Sequence, residues 1–149
     1  MHSNRCLILW QPKLMNKKII EIMFANLTYK QLFLIDAIGA IITAFLLSQL
    51  LGNFVSVFGM PTDILYPLAG IAAFFALYSY ACYLWVTKDW RLFLKGIATA
   101  NTIYCLLTLG LVIYRWESLT WWGIAYFIGE IIVVMSLVSV EWKKSNIRS

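Results

Sequence analysis

Four apolar segments, Leu32 to Leu51, Ile64 to Val86, Leu92 to Tyr114 and Leu119 to Val140, leave this chain few ways to fold. Each is about 20 residues long or slightly more, and at ~1.5 Å of rise per residue that length matches a hydrocarbon core ~30 Å thick. Each segment therefore reads as a spanning helix. The short connections after the second and third segments make their flanking helices antiparallel neighbours. The expected fold is all-α, an integral membrane antiparallel four-helix bundle filling residues 32 to 140.

Charge then orients the bundle. Of the 12 Lys and Arg residues, Arg5, Lys13, Lys17, Lys18 and Lys30 precede the first span and Lys88, Arg91 and Lys95 surround the second connection. Lys143, Lys144 and Arg148 follow the last span, and Arg115 alone falls on the opposite side. Lys and Arg near span ends are retained in the cytoplasm, which predicts an N-in, C-in topology with Gly52 to Asp63 and Arg115 to Ser118 outside. The expected location is a cell membrane, as a multi-pass protein of the bacterial inner membrane.

The chain is 62% hydrophobic and 13% charged, against about a quarter charged in soluble proteins. The formal charge of +5 flanks the spans and does not cluster with stacking aromatics, so nucleic acid is not an expected partner. Membrane lipids are. Cys6, Cys82 and Cys105 form no CxxC motif, and Cys82 and Cys105 differ in depth by about 13 Å, too far for a disulfide. Small apolar packing residues are the simpler reading.

Residues 1 to 31 read as a cytoplasmic tail and interfacial helix. Ile19, Ile20, Met23, Phe24 and Leu27 recur at helical spacing beside Lys17, Lys18 and Glu21, as in an amphipathic helix lying on the inner leaflet. Met15 offers an alternative start of translation. Residues 141 to 149 read as a basic cytoplasmic tail. Trp85, Trp90 and Trp142 on one side, and Trp116, Trp121 and Trp122 on the other, occupy belt positions at the two interfaces. Asp89 and either Ser118 or Thr120 suit helix N-caps, and Pro67 falls near the first turn of its helix.

Small and polar residues form one stripe on each span. They include Asp36, Gly39, Ala40 and Thr43 in the first, and Ala69, Ala72, Ala76 and Ser79 in the second. Lys95, Ala98, Asn101, Thr102, Cys105 and Thr108 mark the third, and Gly123, Tyr126 and Glu130 the fourth. Small faces let helices approach closely in lipid, so these stripes should line the interior.

Depth along the helices sorts the polar residues further. Asp36 and Lys95 both lie roughly 5 Å deep and are expected to form an ion pair. Glu130 lies near the midplane, where a charge costs at least ~2.5 to 3.5 kcal/mol, and no Lys, Arg or His shares its depth. It is expected to be protonated and hydrogen-bonded to Asn101 or to a hydroxyl. Asn101, Thr102, Thr43, Tyr78 and Ser79 lie within reach of the same layer, and together with Glu130 they form the candidate proton or ligand site.

Enzyme templates find no support. The single histidine is His2, which excludes bis-histidine haem, a histidine-ligated metal and a Ser-His-Asp triad inside the membrane. No glycine-rich phosphate loop is present, and no two span carboxylates share a depth for a bridged metal pair. No enzymatic activity, cofactor or metal is expected.

The length and four-span plan resemble small multidrug transporters, DoxX-like proteins and the membrane glutathione transferase group. The first of these carry their essential glutamate in the first span, where this chain has Asp36. The Arg- and Asn-rich glutathione motif of the last is missing. Leu34 to Ala40 (LIDAIGA) and Cys105 to Tyr114 (CLLTLGLVIY), with the Gly59-Met60-Pro61 turn and the Asp89-Trp90-Arg91 loop between them, resemble uncharacterised small four-span bacterial inner-membrane proteins. That resemblance covers Leu32 to about Glu141 and implies no activity. Two functional expectations remain. One is a non-enzymatic accessory or structural subunit of a homo-oligomer or of a larger membrane protein. The other is a small oligomeric proton-coupled carrier that uses Glu130.

Overall fold

Each long apolar run folds as one helix. The computed structural model describes residues 27–51 and 53–146. Helix α1 spans Tyr29–Phe45 and widens into a π-helical stretch, Leu46–Leu51. A short α2, Val55–Phe58, follows, and then α3 (Thr62–Trp85), α4 (Trp90–Tyr114) and α5 (Trp121–Asn146). Helices α1, α3, α4 and α5 are long and apolar enough to cross a membrane. The amphipathic helix expected near Ile19 to Phe24, with His2, Cys6 and Met15, lies outside the described residues.

At the start of α1, the Gln31 side chain accepts a hydrogen bond from the Thr28 N–H at 2.8 Å, one half of a capping box. Asp89 precedes α4 in the left-handed region, with φ of 53°, and makes no side-chain cap. Of the two candidates before α5, Thr120 is the one engaged, accepting from the Gly123 N–H at 3.3 Å. Pro67 lies inside α3, because that helix begins at Thr62. Helix α5 runs past Val140 to Asn146 and so carries Glu141 within it.

The long helices pack as two pairs. Helix α1 lies mainly against α3 and α4 mainly against α5, while the two pairs meet along much narrower seams. One hydrophobic cluster, with Leu47, Met60, Leu65, Val112, Leu119 and Phe127, fills the end of the molecule near Gly59. A second, with Leu32, Phe33, Cys82, Leu94 and Ile97, fills the end near Tyr29. There the Tyr29 and Trp90 rings stack 5.1 Å apart, joining α1 to α4.

At the Gly59 end the pairs are joined through backbone. The Phe58 carbonyl accepts from the Thr120 N–H at 3.3 Å, and the Val57 carbonyl accepts from the Thr120 hydroxyl. Gly59, at φ of 78°, abuts the Ser118 carbonyl, and Gly123 abuts the Phe58 carbonyl, so closely that neither position has room for a Cβ. Gly39 and Gly129 are the opposite case: a Cβ at either would meet nothing within 4 Å.

The small stripes therefore do two different jobs. On α3 and α4 they are buried, at Ala69, Ala72, Ala76, Ala98 and Cys105. On α1, Gly39 faces a gap that no neighbouring helix fills, as does Gly129 beside the α5 stripe, whereas Gly123 within that stripe is buried. The tryptophans at Trp85, Trp116, Trp121, Trp122 and Trp142 are exposed at or near helix ends, and Trp90 packs on Tyr29. Cys82 and Cys105 are both free and buried.

Candidate functional site

The gap left by the small residues is a cavity of about 450 Å³ bounded by all four long helices. Its walls are mostly apolar, from residues such as Ile42, Leu46, Phe75, Val133 and Leu137. Into this surface project Asp36 and Thr43 from α1, Asn101 and Tyr104 from α4, and Tyr126 and Glu130 from α5. No Lys, Arg or His is among the lining residues.

Asp36 is 4% exposed and takes part in a buried network that crosses between the pairs. One carboxylate oxygen accepts from the Asn101 amide at 2.6 Å, and the other accepts from the Ser79 hydroxyl. Two donors from two different helices thus hold one acid, the arrangement a buried carboxylate needs to offset its lost hydration. The ion pair expected between Asp36 and Lys95 does not form. Lys95 precedes Asn101 by six residues, which at 100° per residue turns it to a different face of α4.

Glu130 sits in the opposite wall. One of its oxygens accepts from the Tyr104 hydroxyl at 3.0 Å, and the other is buried without a partner. Asn101 is turned to Asp36 and away from Glu130. Thr43 lines the cavity beside them. Ser79 lies behind Asp36 and reaches the cavity only through it.

Two of the expected site residues fall elsewhere. The Thr102 hydroxyl donates to the Ala98 carbonyl one turn back, at 2.8 Å, a local bond that takes it out of the layer. Tyr78 is exposed and lines a separate groove with Trp85 and Lys88. Tyr104, by contrast, joins the site without having been singled out. Its signal was present in the sequence, since it follows Asn101 by three residues and so shares its helical face.

Chemically, the cavity offers an apolar volume, two carboxyl groups and four further hydrogen-bonding side chains. No nucleophile with an adjacent base stands in it, and no group of three or more His, Cys, Asp or Glu among the described residues could hold a metal ion. Its capabilities are to hold a small molecule by its apolar body, to bond a donor or cationic group at Glu130, and to exchange a proton there. Comparison with models of protein families, with curated proteins and with solved structures finds no match to this chain.

Proposed function

We propose that this chain is a small membrane carrier that binds its cargo in the cavity between the two helix pairs, with Glu130 as the proton-exchanging or cargo-bonding carboxyl. Helices α1, α3, α4 and α5 run antiparallel across a bacterial inner membrane, with both termini cytoplasmic. The distribution of Lys and Arg supports that orientation, and a reporter fused within Gly52 to Asp63 tests it: cytoplasmic activity there overturns the topology.

The observation that carries the reading is Glu130 itself, which lines a 450 Å³ space and keeps one buried oxygen without a partner. Sites for small molecules run from about 300 to 1,000 Å³ and combine apolar walls with a few placed polar groups. A carboxyl that served only to tie helices together would have both oxygens engaged by neighbouring helices, as Asp36 does. The working unit of this reading is a homo-oligomer.

Native mass spectrometry of the gently extracted protein tests the reading. A homo-oligomer that retains a small molecule, and loses it on Glu130→Gln, is the expected result. Retention unchanged by Glu130→Gln, or a stable complex with a larger membrane protein and an empty cavity, overturns it and makes the chain an accessory subunit.

A further inference from the structure

A second carboxyl, outside the cavity, is more completely enclosed than Glu130. Glu141 is 0% exposed, and no donor among the described residues reaches either of its oxygens. It lies at the Tyr29 end of α5, flanked by Leu137 and Val140, which pack on the cluster of Leu32, Phe33, Leu94 and Ile97. Glu130, Val134, Leu137 and Glu141 follow one another at spacings of three and four, so they form a single stripe of α5. Leu137 and Asp36 line the same cavity, which places Glu141 about one turn beyond it toward the Tyr29 end. Asp36 and Glu141 thus stand on α1 and α5, the two helices that flank the cavity on this side.

The two acids differ in what surrounds them. Asp36 accepts hydrogen bonds on both oxygens, which suits a carboxylate. Glu141 accepts none, and an ionised group in that state is strongly disfavoured unless its charge is cancelled. The titratable groups in or packed on that cluster are Tyr29 of α1 and Cys82 and Tyr83 of α3, and Lys30 of α1 and Arg91 and Lys95 of α4 adjoin its residues in sequence. Lys143 and Lys144 follow on α5. None of them donates to Glu141.

We infer that Asp36 and Glu141 together bind one proton, carried on Glu141, and that this proton keeps the seam between the two helix pairs closed at the Tyr29 end. Its loss leaves two like charges facing each other across that seam, one on α1 and one on α5. Water entering between the pairs would relieve the repulsion, so the deprotonated state is the open one. The site stands whether or not the cavity above it takes a ligand.

The test uses the full chain in lipid nanodiscs. The infrared difference spectrum between wild type and Glu141→Gln should show loss of a protonated carboxyl band, while Asp36→Asn should retain that band. Opening is read by thiol labelling of Leu137→Cys in a chain with its three cysteines replaced by alanine, normalised to an exposed Glu117→Cys. Labelling should be at least about tenfold faster near pH 9 than near pH 5, and slow at both when Glu141→Gln is added. If Glu141→Gln does not fold, the band in Asp36→Asn and the labelling of the chain with Glu141 intact decide the matter. A band lost in Asp36→Asn and kept in Glu141→Gln overturns the assignment, as does equal normalised labelling at the two pH values.

Discussion

The Gly59 end and the Tyr29 end join the same two helix pairs by different chemistry. At the Gly59 end the contact is backbone on backbone: Thr120 bonds the carbonyls of Val57 and Phe58, and two glycines let the chains approach without side chains between them. At the Tyr29 end the contact is made by side chains, with Tyr29 stacked on Trp90, and further in, at the cavity wall, by the bond from Asn101 to Asp36. A peptide contact has one state across the ordinary pH range. A carboxyl has two. The difference makes the Gly59 end a fixed point and the Tyr29 end the place where the pairs can part.

The largest effect should come from breaking the fixed end. Gly123→Val pushes a branched side chain into the Phe58 carbonyl, and a loss of about 4 kcal/mol or more is expected. Thermal unfolding in detergent should show no cooperative transition near that of wild type. A variant that melts normally would mean the backbone contact is dispensable.

On the side-chain-bonded side, at the cavity wall, Asp36→Ala strands the Ser79 hydroxyl and the Asn101 amide without their acceptor. The expected cost is about 2 to 4 kcal/mol, read by the same unfolding measurement, and Asp36→Asn should cost less because an oxygen remains to accept. Equal losses for the two variants would show that charge, and not the hydrogen bonds, holds that side together.

How much of this was legible beforehand follows from helical geometry. The four spans were, because length and hydropathy alone define them, and counting depth also put Asn101, Thr43 and Glu130 in one layer, whereas Asp36, counted shallower and paired with Lys95, lines the same space. What depth counting cannot supply is rotation. Asn101 and Thr102 differ by one residue and so by 100° of azimuth, which turns one to Asp36 and leaves the other bonded to its own helix. The same step separates Ser79, which meets Asp36, from the exposed Tyr78. Lys95 shared a depth with Asp36 but not a face. Glu141 was missed for another reason: hydropathy ends the last span at Val140, whereas the helix continues to Asn146.

Smaller changes sharpen the contrast. Thr120→Val removes the hydroxyl that both caps α5 and bonds Val57, and should cost about 1 kcal/mol in unfolding free energy. Gly39→Ala should have the opposite sign. Nothing lies within 4 Å of the added carbon, and replacing glycine inside a helix should stabilise the protein by about 0.5 to 1 kcal/mol while narrowing the cavity. A destabilised Gly39→Ala would mean that α1 approaches its neighbours more closely at that level than the cavity allows.

The connection from α3 to α4 has one more consequence. Only Val86, Thr87, Lys88 and Asp89 lie between Trp85 and Trp90, and they are the sole covalent link between the two pairs. Stretched fully, five peptide steps reach roughly 15 to 18 Å. The linker is therefore a tether that caps how far the halves can swing apart. A gene cut between Lys88 and Asp89 would encode two fragments that each keep one helix pair, and their recognition of one another would rest on the Thr120 bonds to Val57 and Phe58, the Tyr29 stack on Trp90 and the Asn101 bond to Asp36.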